Sequence, residues 1–236
     1  MPRRNFETAL TSRSVALMLS ILMFLLLIPE AHPQRGVLPF SDAIDTKAAP
    51  DRIYDIESWR FTLGRFSYKI DQNGKAERRD GRNRPFRFRV DLEGSDGMVR
   101  LYFAEFKGDL LLLCEDKTFD AGAGFVARLD RDTLKEKWRA HIPVFNIAKG
   151  LIEGNSAYLG AVGFAAKLNL DTGRFVWKHD DFYRKYREDG AFNVFDPPKI
   201  VGNEVIYVEN QEMYNKKPNV IRFNKNNGQV PKVELN

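Results

Sequence analysis

The sequence predicts an all-β body built from repeated four-stranded units. Three observations predict it: one segment recurs along the chain, short apolar alternations are punctuated by Gly, Asn and Asp, and no convincing helical period runs through the body. The recurring segment is "GFVARLDRDTLKEKW", ending at Trp138, and "GFAAKLNLDTGRFVW", ending at Trp177, displaced by 39 residues (177 − 138).

The copies align without gaps as "RLDRDTLKEKW" (128–138), "KLNLDTGRFVW" (167–177) and "RFNKNNGQVPK" (222–232). A basic residue opens each, an apolar residue follows, and Asp130, Asn169 or Asn224 comes third. The turn is then Asp132-Thr133-Leu134, Asp171-Thr172-Gly173 or Asn226-Asn227-Gly228. Asp or Asn ahead of a turn bonds its own backbone downstream, and Gly accepts positive φ without steric cost. Strands flank the turn, so it closes a hairpin. Leu134 replaces the Gly, which predicts a looser or different turn there. A worn fourth copy is read in "KIDQNGK" (69–75), one residue shorter at the turn.

Each copy is preceded by another strand pair. "GDLLLLC" at Gly108, "GNSAYLG" at Gly154 and "GNEVIYV" at Gly202 are equivalent second strands. Four antiparallel strands in roughly 40 to 50 residues make the blade of a β-propeller. A blade cannot bury its two faces alone, so several must stack. The expected body is therefore β-propeller-like, with about three to four blades over residues 53–236 as a partial or small propeller. Trp138 and Trp177 fall near the end of the fourth strand, where a large flat ring can dock on the neighbouring blade. The first and third copies share an extension between their second and third strands, "EDKTFDAGAG" and "ENQEMYNKKP". These loops are the expected contact surface, through Glu115, Asp116, Lys117, Glu209, Gln211 and Tyr214.

The motif resembles the PQQ-type propeller repeat of the quinoprotein alcohol dehydrogenase superfamily, roughly A-L-D-A-x-T-G-x-x-x-W. "KLNLDTGRFVW" matches it, and "RLDRDTLKEKW" matches it without the Gly. The resemblance covers residues 99–236 and implies a propeller and an export route. It extends less surely back to residue 53. The same repeat builds an outer-membrane assembly lipoprotein that works by binding other proteins. The superfamily's enzymes have eight blades, and many carry a vicinal Cys pair beside the quinone and Glu, Asn and Asp around calcium. This chain has room for about half those blades and holds one cysteine, Cys114, read as a buried thiol. PQQ and calcium are accordingly disfavoured, no cofactor is expected, and no calcium ligand is legible.

The remaining segments bear on location and partners. Arg3, Arg4 and Arg13 precede an apolar run at residues 15–28, so residues 1–31 read as a signal peptide or a signal anchor. Residues 32–52 read as a linker or irregular lead-in. The formal charge is +5, but nine Lys or Arg against three acids fall between Arg65 and Arg89. One basic segment on a near-neutral body is not a nucleic-acid-binding balance. Its Arg84, Arg87 and Arg89, interleaved with Phe86 and Phe88, read either as a wetted edge strand or as a contact with anionic phospholipid or lipopolysaccharide. His32, His141 and His179 lack metal-ligand spacing, and the polar cluster at 178–190 reads as a solvated connection. The leading expectation is a non-enzymatic protein-binding or scaffolding module of the bacterial cell envelope, exported to the periplasm or anchored facing it. Its partners would be an envelope protein or a second copy of the chain. The alternative is a ligand- or cofactor-binding enzyme domain that uses the axis of a closed or dimeric ring.

Overall fold

The computed structural model describes residues 36–45, 58–82, 84–92, 95–116, 124–180, 195–210 and 218–234. They form nineteen strands and no helix. All pairings are antiparallel and fall into four sheets, taken here in chain order. Sheet 1 runs β3 (Ile44–Asp45), β4 (Ser58–Leu63), β5 (Phe66–Asp71), β6 (Lys75–Arg79), β7 (Pro85–Arg89). Sheet 2 runs β2 (Ser41–Asp42), β8 (Met98–Phe106), β9 (Asp109–Asp116), β10 (Gly124–Leu129), β11 (Glu136–Ile142). Sheet 3 runs β1 (Val37–Pro39), β12 (Leu151–Glu153), β13 (Ser156–Ala161), β14 (Phe164–Asn169), β15 (Arg174–His179). Sheet 4 runs β16 (Lys199–Val201), β17 (Glu204–Val208), β18 (Val220–Asn224), β19 (Lys232–Glu234). This is the expected blade architecture, and the four sheets do not close into a ring.

Three apolar clusters hold the array together. One joins sheets 1 and 2, around Phe61, Tyr68, Phe103, Leu112 and Leu129. A second joins sheets 2 and 3, around Leu111, Leu113, Leu159 and Leu168. A third joins sheets 3 and 4, around Tyr158, Trp177, Tyr207 and Phe223. Among the described residues no cluster joins sheet 4 to sheet 1. Burial along the strands follows from this order. β9 sits between two sheets, and its run Leu110 to Cys114 is buried on both faces, with alternate residues going to the two neighbouring clusters. β5 and β17 lie in the end sheets, and their burial alternates strictly.

Residues 37–45, in the segment expected to be a linker or irregular lead-in, pair with three sheets in turn. β1 pairs with β12, β2 with β8 and β3 with β4, so one short stretch edges the first main strand of sheets 3, 2 and 1. Phe40 is fully buried in the second cluster, and its N–H donates to the Gly150 carbonyl at 2.9 Å. Gly150 leaves the room: a Cβ there would lie 3.0 Å from the Phe40 ring.

The fourth motif copy is not where the sequence alignment placed it. "KIDQNGK" joins β5 to β6, the second and third main strands of sheet 1, whereas the other copies join third to fourth. The true equivalent is Arg78-Arg79-Asp80. Asp80 Oδ1 accepts the Arg82 and Arg84 N–H groups, as Asp130 and Asn169 accept theirs two and three residues on. The reason it was missed is physical. Arg79 stands where the other copies have Leu129, Leu168 and Phe223, each buried against the preceding sheet. Among the described residues sheet 1 has no preceding sheet, so the apolar signature is gone.

Leu134 corrects a second expectation. The turn there is not looser. Its N–H donates to the Asp130 carbonyl at 2.8 Å, matching Gly173 to Asn169 at 2.9 Å and Gly228 to Asn224 at 2.8 Å. Leu134 takes φ of 57°, in the left-handed region where a leucine is strained by about 1–2 kcal/mol. Its side chain is buried in the first cluster, and burial of a leucine contributes about 1.5–3 kcal/mol, enough to offset the strain.

Candidate interaction surface

The sheets are joined by a latch that recurs at each junction. Trp138, on the last strand of sheet 2, lies over the turn of sheet 3, and its indole N–H donates to the Leu170 carbonyl at 3.1 Å. Arg128, directly opposite on β10, donates to the same carbonyl at 3.1 Å. At the next junction Trp177 and Lys167 are the opposed pair, and both donate to the Lys225 carbonyl, at 3.3 and 2.9 Å. Between sheets 1 and 2 the pair is Phe86 opposite Arg78, and Arg78 donates to the equivalent carbonyl, that of Arg131. The basic residue at this position, Arg78, Arg128 or Lys167, is thus a donor to the next sheet's turn in the first three sheets. That role was not read from the sequence, although the recurrence was its signal.

The turn glycines serve these rings. A Cβ on Gly173 would lie 2.6 Å from Trp138, and one on Gly228 2.6 Å from Trp177. So Gly173 and Gly228 supply both positive φ and the flat seat for a tryptophan. Leu134 can replace glycine in sheet 2 because sheet 1 presents Phe86 and Arg78 instead of a tryptophan. His179 joins the same structure, with Nε2 2.8 Å from the Gly228 carbonyl. Of the turn residues, Thr133 and Thr172 cap their own hairpins, and Asp171 reaches back to Lys107 of sheet 2 at 2.7 Å. Asn227 accepts the Gln229 N–H, and Asp132 is exposed, its N–H donating to Asp130.

Asp109 organises the turn of sheet 2. It is buried and accepts Arg128 at 2.6 Å and Lys137 at 2.9 Å. Burial works against its charge, but the bonds from Lys137 and Arg128 outweigh it and hold the carboxyl below the usual range. The Thr133 N–H, the Lys137 ammonium and the Thr133 hydroxyl hold Asp130 well below its usual value as well. Cys114 is fully buried, and burial pushes its thiol up.

Lys117, Gln211 and Tyr214 lie outside the described residues; the roots of their loops do not. Glu115 is buried, accepts the Asn146 N–H at 2.8 Å and the Ile147 N–H at 3.2 Å, and pairs with Arg100 at 3.1 Å. Glu209 is buried and accepts the Asn219 side-chain N–H at 2.5 Å. Both glutamates therefore fix the loop roots, and any contact surface has to come from the residues beyond them. Asp116 is partly buried at the end of β9.

Among the described residues two sheet faces have no neighbouring sheet. On sheet 4 the position opposite Arg222 that carries tryptophan elsewhere is Lys232. Arg222 turns to its own sheet, 3.4 Å from Glu204 and 3.6 Å from Glu234. This face also carries Val201, Ile206, Val208 and Val220. On sheet 1 the free face is basic. Arg87 and Arg89 lie on it, and Arg84 is exposed in the turn before β7.

Among the described residues no group of three His, Cys, Asp or Glu side chains converges to hold a metal. His141 is exposed and His179 belongs to a junction. Asp181 to Gly190, in the polar cluster at 178–190, lie outside the described residues. No protein-family model matches the chain, and no curated protein matches it. Solved structures do resemble it. BamB from Moraxella catarrhalis is similar at 13% identity and a TM-score of 0.48, covering 76% of this chain and 53% of that one. The quinohemoprotein alcohol dehydrogenase ADHIIG from Pseudomonas putida HK5 is similar at 10% identity and 0.48, covering 84% and 36%. The computationally designed Ika8 protein is similar at 12% identity and 0.48, covering 74% and 48%. The chain spans about half the length of these structures or less.

Proposed function

We propose that this protein is a non-enzymatic binding or scaffolding module of the bacterial cell envelope, exported and held on the periplasmic side. The observation that carries the reading is the unclosed array. Its last sheet has Lys232 where a docking tryptophan would be, and its first sheet has arginine where the buried leucine would be. Among the described residues neither outward face carries the parts that join one sheet to the next, which leaves two sheet faces and the loops open to a partner. Two of its loops are rooted on buried glutamates, which gives residues 117–123 and 211–217 fixed points of departure. A rigid stack with anchored loops suits recognition of another protein.

The test is in-cell crosslinking of the tagged full chain, with residues 117–123 and 211–217 replaced singly and together by Gly-Ser segments of equal length. The reading expects one stoichiometric envelope protein, reduced by each replacement and lost when both are made. Crosslinks that persist unchanged in the double replacement would overturn the role given to these loops.

A further inference from the structure

We infer that the free face of sheet 1 is a docking surface for an anionic phospholipid bilayer. This rests on the face itself and is independent of the loop contacts proposed above.

The face is set by strand alternation. In β4 to β7 the residues turned toward sheet 2 are aromatic or apolar: Trp59, Phe61, Phe66, Tyr68, Ile70, Ala76 and Phe88. Their neighbours turn the other way and are Arg60, Lys69, Lys75, Arg79, Arg87 and Arg89, all exposed, with Asp71 and Glu77 partly buried among them. Six cations against two carboxylates leave +4 on a surface about 14 Å wide, four strands at the usual spacing. Glu77 is shared between Arg79 at 2.5 Å and Arg87 at 4.0 Å. Asp71 Oδ1 is occupied by the N–H groups of Asn73 and Lys75.

The arrangement works against sheet stability. Arg60 lies directly opposite Lys69, and Lys75 directly opposite Arg89. Like charges at opposed positions are destabilising. In sheets 2 and 3 the same face is apolar and buried against the preceding sheet, through Leu110, Leu112 and Leu129, or Leu159 and Leu168. Sheet 1 has exchanged that apolar face for concentrated positive charge rather than for a neutral or mixed polar surface. An anionic partner is the chemistry that relieves it. A second copy of this chain does not fit: its free sheet 4 face offers valines, Ile206 and an internally paired Arg222, with no excess of acid.

Two further features favour a bilayer over an acidic protein. A depression of about 760 Å³ at the edge of this face is lined by Arg60, Lys69 and Arg79 with Thr62 and Ser67, against the carboxylates Asp42 and Glu77, so cations keep an excess of one where a phosphate headgroup would reach. The chain also carries an uncharged apolar stretch at residues 15–28 behind three arginines, only 30 residues (58 − 28) before β4. A segment that engages a membrane even transiently would hold sheet 1 at high local concentration near headgroups.

The test uses the full chain and vesicles of phosphatidylcholine alone or with about 30% phosphatidylglycerol, reading the ratio of the two partition constants. Any contribution of residues 15–28 is common to all variants. Each cation near an anionic leaflet contributes about 1 kcal/mol, or about fivefold. The quadruple variant Lys69→Gln, Lys75→Gln, Arg87→Gln, Arg89→Gln is expected to lower the ratio by at least about tenfold. A control removing four exposed cations elsewhere, Lys135→Gln, Arg174→Gln, Lys178→Gln, Lys199→Gln, should change it by less than about twofold. Circular dichroism melts verify that both variants fold. An unchanged ratio in the face variant, or an equal fall in the control, overturns the proposal. So does loss of an acidic protein crosslink from the face variant while its vesicle ratio stays at the wild-type value.

Discussion

Replacing Gly173 by alanine tests the junction between sheets 2 and 3 at one atom. The backbone φ there is 68°, so an L side chain costs about 1–2 kcal/mol before it touches anything. The added Cβ would also lie 2.6 Å from Trp138 Cδ2 and 2.8 Å from Cε3, inside any real contact. The ring cannot slide away freely, because its N–H is held by the Leu170 carbonyl at 3.1 Å. Overpacking of that kind costs about 1–3 kcal/mol, so Gly173→Ala is expected to destabilise by about 2–5 kcal/mol in total. Gly154 provides an internal control. Its φ is 56°, but a Cβ there would meet nothing within 4 Å, so Gly154→Ala should cost only the strain, about 1–2 kcal/mol. The assay is urea unfolding followed by far-ultraviolet circular dichroism, on both single variants, Trp138→Leu, and the Gly173→Ala/Trp138→Leu pair. In the leucine background the clash disappears, giving a coupling of about 1–3 kcal/mol that restores stability. If Gly173→Ala costs no more than Gly154→Ala, or the coupling is within about 0.5 kcal/mol of zero, the glycine is not the ring's seat and the latch argument fails.

Three other outcomes are expected. Cys114 should be inert to a thiol reagent at pH 8 in the folded protein and label fully in denaturant, since it is buried and its thiol is pushed up; fast labelling without denaturant would contradict the burial. Asp109 is held below its unfolded pKa, so its contribution is complete above about pH 4 and is lost as pH falls through the folded value. Urea midpoints from pH 7 to pH 2 should fall in that acid window, and Asp109→Asn should flatten the fall while costing about 1.5–3 kcal/mol at pH 7, because it removes the charged bonds from Arg128 and Lys137 but leaves Arg128 with Asp171 at 3.6 Å. Phe40→Ala should cost about 3–5 kcal/mol by the same urea assay, although residues 32–52 read as a linker in sequence; a cost near zero would mean that the lead-in is not part of the core.

The repeat, the antiparallel strands and the docking role of Trp138 and Trp177 are legible in the chain because each depends on local chemistry. A hairpin turn needs its Asx residue and its left-handed position, and those recur at fixed offsets. Strand burial is legible too, with hindsight about neighbours. The continuous "LLLLC" of β9 belongs to a sheet covered on both faces, and the alternating "FSYKI" of β5 to a sheet covered on one. What the chain could not disclose depends on which sheet lies beside which. Without that, Arg79 does not align with Leu129, so the fourth copy was assigned to "KIDQNGK". Glu115 looked like a loop contact, and only the approach of Asn146 and Ile147, 31 and 32 residues away, makes it a buried acceptor.

The sequence by itself determined the unit: four strands, one capped turn and, in two copies, a tryptophan near the end of the fourth strand, all written in residues close together. The tertiary structure decided the rest. It set four sheets side by side among the described residues and ran residues 37–45 along three of them. It also gathered cations from four strands, dispersed over residues 60–89, onto one face. Such a face exists only where strand alternation meets the absence of a neighbouring sheet, and that is a property of the assembled array rather than of any stretch of the chain.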